Sequence, residues 1–323
     1  MDTPIGIGIG DVGILLPDRF VTPAELADAE QLDSGQREFV ERTGIQTVGV
    51  LDEEARVLAA RAVRTLVADT GADPDVLVLA APRSPDVLLG SDVAAVQAAA
   101  GLQRAFGFTV DGLGCVGSSA AWALGADLLR ADPSRSSVVI AHASRPTGPD
   151  RVRFPVTVVG DGACAMTLVP GGRPVLRAHR AEMDGQFHDL FRVDYKAGPA
   201  YEWREVCDNV DEYRFKLALH SRDRLKRLVD QVLVDAGVDA GRVAATLMQN
   251  VTAGAFDFYE SLLSLHIDDV CRENLRRYGH LGAMDVVLNL RDLLARGDLS
   301  RGDLVLVLNN SQVAAWAVTL WEV

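Results

Sequence analysis

The chain has 323 residues, 48% hydrophobic and 24% charged, the balance of an ordinary globular protein long enough for two domains or one large duplicated core. Its net charge of -13 argues against sequence-independent binding to nucleic acid and against an anionic membrane surface, because no general basic surface exists to displace counterions. No apolar run reaches membrane-spanning length, and no basic segment followed by an apolar stretch opens the chain, so a cytoplasmic protein is expected.

Apolar β-type runs alternate with longer helical patterns, the signature of α/β layers. The first strand is expected at Ile5–Leu16, followed by a helix at Pro23–Glu30 that Thr22 caps and Pro23 opens. Helix Asp52–Asp69, strand Val76–Ala81, helix Ser91–Ala100 and strand Phe106–Val110 come next. Helix Val116–Ala131 and strands Ser137–His142, Ala163–Val169 and Pro174–Ala181 follow. The segment Gly171–Asn209 is irregular and rich in Gly, Asp and aromatic residues, a linker or covering loop between two halves. Beyond it, helix Val210–Asp235, strand Ala244–Gln249 and helices Ala253–Ser264, Asp268–Arg277 and Ala283–Arg296 precede strands Asp303–Asn309 and Ala314–Trp321. The late strand–helix–strand succession is an echo of the early one. Gly8-Ile-Gly-Asp-Val-Gly13 fits a dinucleotide fingerprint formally, but Pro17 after an apolar run reads as strand and turn where a helix must open, so nicotinamide and flavin binding are rejected.

The four cysteines are scattered with no CxxC pair, which argues against a disulfide framework and a structural zinc site. Cys115 stands apart. It lies in Asp111-Gly-Leu-Gly-Cys-Val-Gly117, where small residues run into an Ala- and Leu-rich helix. A thiol at a helix N-terminus meets unpaired N–H groups and the positive end of the helix dipole, which favour the thiolate and can hold an oxyanion. A buried structural thiol is the alternative on local sequence alone. The basic stretches around Arg222 and around Arg276 and Arg277 are solvated helix faces, or a docking surface for an acidic partner beside an active-site mouth. The other histidines have no metal-ligand spacing, and no metal site is expected.

With Cys115 placed, the chain resembles ketoacyl-acyl-carrier-protein synthase III and its thiolase-superfamily relatives over nearly its full length. The matching segments are Leu16–Leu26, Glu41-Arg-Thr-Gly-Ile45, the Cys115 turn, Gly160-Asp-Gly-Ala163 and Arg301–Val307. The resemblance implies an α/β thiolase fold, a duplicated five-layer αβαβα core. One half spans 1–170 with the nucleophile and the other 171–323, each with a five-stranded mixed sheet. It also implies a homodimer and a tunnel to Cys115 for a phosphopantetheine arm.

Departures from the family pattern shape the functional expectation. Condensing members use Cys, His and Asn. Here Asn250 stands at the His position and His280 at the Asn position, and Asn250 can donate a hydrogen bond but supply neither charge nor a proton acceptor. Decarboxylative carbon–carbon bond formation is therefore expected to be poor. His280-Leu-Gly-Ala-Met-Asp285 resembles the HLGxxD pattern of synthase-III-like acyltransferases from natural-product (polyketide-type) pathways. That resemblance implies a Cys115–His280–Asp285 triad, with Asn250 and Ser311 as oxyanion or auxiliary residues. Phe39 appears in place of the family's adenine-stacking Trp, and Asn309–Ala314 replaces its glycine-rich loop.

The expected activity is transfer of an acyl group from an acyl carrier protein or coenzyme A thioester, through Cys115, onto a hydroxyl, amine or carrier thiol of a small-molecule or carrier acceptor. No cofactor beyond the thioester is expected. Arg222, Arg276 and Arg277 would dock the carrier. A starter-unit condensing synthase and a non-catalytic subunit of a larger synthase are the alternatives.

Overall fold

The computed structural model describes residues 5–26, 28–193, 195–196, 198–199 and 202–323. The first half runs β1 (Ile7–Leu15), β2 (Phe20–Val21), α1 (Ser34–Arg42), β3 (Val48–Gly49), α2 (Ala55–Thr70), β4 (Val76–Ala80), α3 (Asp92–Ala100) and β5 (Phe106–Val110). It continues through α4 (Gly117–Ala131), β6 (Val138–Ser144), β7 (Val152–Arg153), β8 (Thr157–Val158) and β9 (Gly162–Pro170). The second half runs β10 (Val175–Met183), β11 (Phe191–Val193), β12 (Glu205–Cys207), α5 (Ala218–Ala236) and β13 (Val243–Met248). Helices α6 (Ala253–Leu263), α7 (Asp269–Tyr278) and α8 (Asp285–Arg296) precede the last strands, β14 (Leu304–Ser311) and β15 (Ala315–Glu322).

Nine strands join in the order β13-β14-β15-β10-β1-β9-β6-β4-β5. In the first half β4 lies parallel to both β5 and β6, while β6–β9 and β9–β1 are antiparallel. The second half repeats the scheme: β13 is parallel to β14, and β14–β15 and β15–β10 are antiparallel. The two halves pair edge to edge at Gly8 and Val175, beside which the Ile9 N–H donates to Pro174 O at 3.0 Å. One expectation is corrected here. Among the described residues the second half contributes four strands to this sheet, and its fifth place is a single bridge from Thr246 to Ile267. Asp268 follows at once and caps α7 by accepting from the Val270 N–H at 3.0 Å, so the chain leaves the sheet after one residue.

Helices α2 and α3 cover one face of the first half, packing Leu58, Val63 and Val96 on Leu77, Leu79 and Val139. Helices α4 and α8 lie between the two sheet halves, α4 against β4, β6, β9 and β15 and α8 against β13, β1 and β9. Trp122 of α4 meets Trp321 of β15 edge-on at 5.4 Å, and its indole N–H donates to Thr319 Oγ1 at 3.0 Å. Helix α5 closes the far side on β10 and β15. The result is five layers, αβαβα.

Three helical segments differ from expectation. Pro23–Glu30 is two short 3-10 turns, Pro23–Glu25 and Ala29–Gln31, with Ala27 outside the described residues. Helix α1 has no buried residue and no apolar stripe to announce it; Asp33 and Gln36 cap it reciprocally instead. The stretch Glu212–Leu217, ahead of α5, is wound as a π-helix.

Candidate active site

Cys115 sits in a single 3-10 turn, Gly114–Val116, that feeds directly into α4. Gly114 has φ +53, and a Cβ there would lie 2.4 Å from Ser311 Oγ, so only glycine lets the turn approach β14 this closely. From β14, Asn309 Nδ2 donates to the Cys115 carbonyl oxygen at 2.8 Å and to Ser119 Oγ at 3.1 Å. The second half thereby pins the turn of the first. Nothing in the apolar run Leu304–Leu308 signals that role for Asn309.

His280 is delivered by the loop between α7 and α8. Its N–H donates to Val158 O, and its carbonyl accepts from Gly160 N–H, each at 3.0 Å. Asp285, the first residue of α8, accepts from the Leu281 N–H at 2.8 Å, from the Asn250 N–H at 2.9 Å and from His280 Nδ1 at 2.7 Å. A carboxylate only accepts, so Nδ1 carries a proton and Nε2 is left for the sulfur. Cys115 Sγ lies 3.2 Å from His280 Nε2. Cys115 is 6% exposed, and His280 and Asp285 are fully buried.

The electrostatics separate this cysteine from the others. Burial disfavours the Cys115 thiolate, but His280, Arg153 and Arg83 outweigh it and hold the thiol below its ordinary value. Burial likewise disfavours a charged His280, yet Cys115 and Asp285 push its proton affinity above that of a free imidazole. Both directions favour passing the thiol proton to the imidazole. Burial instead raises Cys164, to about 12, and also raises Cys207 and Cys271.

Asn250 is a correction. Its side chain is turned away from the cavities at Cys115 and satisfied within the core. Its Oδ1 accepts from Asn289 Nδ2 at 2.9 Å, and its Nδ2 donates to Asn289 Oδ1 at 3.4 Å. The residue serves the site through its backbone, with its carbonyl 3.2 Å from His280 Nδ1.

Two cavities meet at Cys115. One of about 360 Å³ is walled by Phe39, Leu217, Phe258 and Tyr259, with Arg214 and Ser311 also on its lining. Phe39 packs edge-on against Phe154 at 5.4 Å. The other, of about 170 Å³, is lined by Arg83, Asp111, His142, Ser144, Arg145 and Gln312 among others. Of the basic residues singled out in the sequence, Arg222 follows the cavity residue Ser221 on α5 and is paired with Asp223 at 2.7 Å. Arg276 and Arg277 are exposed at the end of α7, with Arg277 stacked 5.0 Å from the Tyr278 ring centroid. Arg214 was not singled out; it lies 5.4 Å over the Phe154 ring.

The five-layer core, with Cys115 at the start of one buried central helix and Asp285 at the start of the other, has the ketoacyl synthase III-like fold. No family model matches the chain. It is 27% identical over 306 residues to the beta-ketoacyl-[acyl-carrier-protein] synthase III of Acidiphilium cryptum, covering 92% of each chain. Among solved structures, the 3-oxoacyl-(acyl carrier protein) synthase III of Pseudomonas aeruginosa PAO1 superposes with TM-score 0.80 at 20% identity, over 98% of both chains. The acyltransferase ChlB3 superposes with TM-score 0.80 at 23% identity, also over 98% of both.

Proposed function

We propose that the protein is an acyltransferase of the ketoacyl synthase III type that works through a Cys115 acyl-enzyme without decarboxylative condensation. The observation that carries this reading is the relay of 3.2 Å from Cys115 Sγ to His280 Nε2 and 2.7 Å from His280 Nδ1 to Asp285. The Cys115 thiolate attacks an acyl thioester carbonyl, a carbon–sulfur bond forms, and the donor thiol leaves with the proton from His280. Backbone N–H groups around Cys115, aided by Ser311, hold the oxyanion. His280, now neutral and oriented by Asp285, takes a proton from a hydroxyl, amine or carrier-thiol acceptor, which attacks the acyl-enzyme. The scheme requires no metal or redox cofactor.

The donor arm enters by the larger cavity. An acyl carrier protein as donor fits the exposed Arg276 and Arg277, which form no ion pair among the described residues, with Arg222 beyond them. Strand β5 ends the sheet with Phe106 72% exposed, an unpaired edge that a second copy of the chain would cover, in keeping with a homodimer. Polyketide-type natural-product assembly is the setting we infer, in keeping with the likeness in fold to the priming beta-ketosynthase of the R1128 polyketide biosynthetic pathway.

The named synthase relatives favour a second reading, a starter-unit condensing enzyme. Against it, Asn250 is locked to Asn289 and offers nothing to an enolate beside Cys115. Intact-protein mass spectrometry after mixing with acyl-carrier thioesters, followed by a malonyl-carrier chase, separates the two. An adduct on Cys115 that malonyl does not discharge supports transfer; discharge with loss of carbon dioxide establishes condensation.

A further inference from the structure

The smaller cavity carries a charge problem. Arg83, on its wall, shares the single carboxylate of Glu205 with Arg153; Arg153 Nε donates to Glu205 Oε2 at 2.8 Å and its Nη2 bonds Oε1. All three side chains are at most 15% exposed, and Arg153 Nη1 is buried with no partner. Arg145, also on the wall, shares Asp161 with Arg151: Arg151 grips the carboxylate through both nitrogens at 2.8 and 2.7 Å, while Arg145 stands 3.8 Å away and also donates to Glu53 O. Each cluster thus sets two guanidiniums against one carboxylate. Asp111, exposed at the rim, is the one acid among the described lining residues.

A buried excess cation is costly unless an anion compensates it. The Cys115 sulfur, 3.2 Å from His280 Nε2 and on the wall of the same cavity, is the buried lining group that can supply that charge, as a thiolate. Acylation abolishes it, because a thioester is neutral. We infer that the acyl group accepted on Cys115 is a short one ending in a carboxylate, a dicarboxylic acid monothioester, whose free end lies in the smaller cavity against Arg83 and Arg145. This rests on the acyl-enzyme reading above.

The donor arm and the acyl group then occupy different cavities on either side of the sulfur. Charge-assisted bonds from guanidinium to carboxylate restore the compensation that acylation removes. His142 completes the polar wall. It is 4% exposed, its Nδ1 donates to Ala80 O at 3.0 Å, and its buried Nε2 has no partner. In the neutral ring Nε2 accepts, which suits a water bridging to the carboxylate.

The test compares succinyl and butyryl thioesters of one acyl carrier protein, equal in chain length, by the rate of adduct formation on Cys115. Succinyl loading is expected to be at least about tenfold faster, as befits one charge-assisted bond. Arg83→Gln leaves Arg153 and Glu205 as a balanced pair and should collapse the ratio: loss of its charge raises the Cys115 thiol and slows both thioesters, but succinyl is slowed the more. Arg145→Gln, which leaves Arg151 on Asp161, provides a second variant should the first fail to fold. Butyryl loading as fast as succinyl in the parent protein, or a ratio unchanged in the folded variants, would overturn the inference. If neither thioester loads, the acyl-enzyme reading fails, and protection of Cys115 from iodoacetamide decides the cavity separately: protection by free succinate but not by the uncharged succinamide supports an anion site, and equal protection overturns it.

Discussion

Asp285 grips His280 from two sides, accepting from the ring at Nδ1 through one oxygen at 2.7 Å and from the next backbone N–H, of Leu281, through the other at 2.8 Å. The carboxylate therefore fixes both the tautomer of the ring and the loop that carries it. Its place at the first residue of α8 adds the favourable end of the helix dipole.

Asp285→Asn keeps a side chain of the same size and shape but removes the charge that favours imidazolium. Acyl transfer is expected to fall by at least about a hundredfold, by analogy with tautomer loss in other triads. His280→Ala should abolish it. Single-turnover loading and transfer rates check both, alongside unfolding curves that show the variants remain folded. Transfer at the parent rate in His280→Ala would sink the mechanism.

The depressed Cys115 pKa gives a pH signature. The thiolate is populated above that lowered value, so iodoacetamide should alkylate Cys115 faster at neutral pH than an ordinary cysteine thiol, the rate falling in acid as the sulfur is protonated. Burial opposes the thiolate, so removing the imidazolium in His280→Ala should move the alkylation profile to higher pH. A profile that does not move would mean that His280 is not what lowers the thiol.

The principal strands were legible because they are buried apolar runs bounded by turn residues; the observed β4, Val76–Ala80, and β15, Ala315–Glu322, follow the pattern within a residue. Helix α1 was not, since it fully buries no residue and its start signal is a capping box without a stripe. The position of Asn250 could be read from the chain, but not the direction of its side chain, which Asn289 of α8 sets from 39 residues away. Arg83 and Glu205 are 122 residues apart, and no local pattern joins them. Side chains drawn together by topology leave no period in the sequence.

Asn250→Ala separates structure from chemistry. Deleting the carboxamide strands the buried Asn289, which also receives Asn274 Nδ2 at 3.0 Å and donates to Met248 O at 2.8 Å. A loss of about 1–3 kcal/mol in stability is expected, with a modest effect on transfer in the folded protein, because the backbone groups that meet His280 and Asp285 remain. Denaturant unfolding and transfer kinetics on the same samples check this. Abolished transfer with unchanged stability would assign the side chain a direct part in the chemistry.

Glu205 ties the β11–β12 ribbon to the floor beneath Cys115, and it does so with a defined pH dependence. Although burial alone would raise its pKa, Arg153 and Arg83 hold it down to about 2 from 4.5. A carboxylate with a depressed folded pKa contributes stability that is complete above the unfolded value and drains away as pH falls through the folded one. The contribution is therefore full at neutral pH and is lost between about 4.5 and about 2. Glu205→Gln leaves two buried guanidiniums facing a neutral amide, at a cost of about 3–5 kcal/mol at neutral pH. Denaturant unfolding of parent and variant at pH 7 and pH 3 should therefore show a wide gap that narrows in acid. A gap that stays constant would mean that the ribbon is not held by this charge.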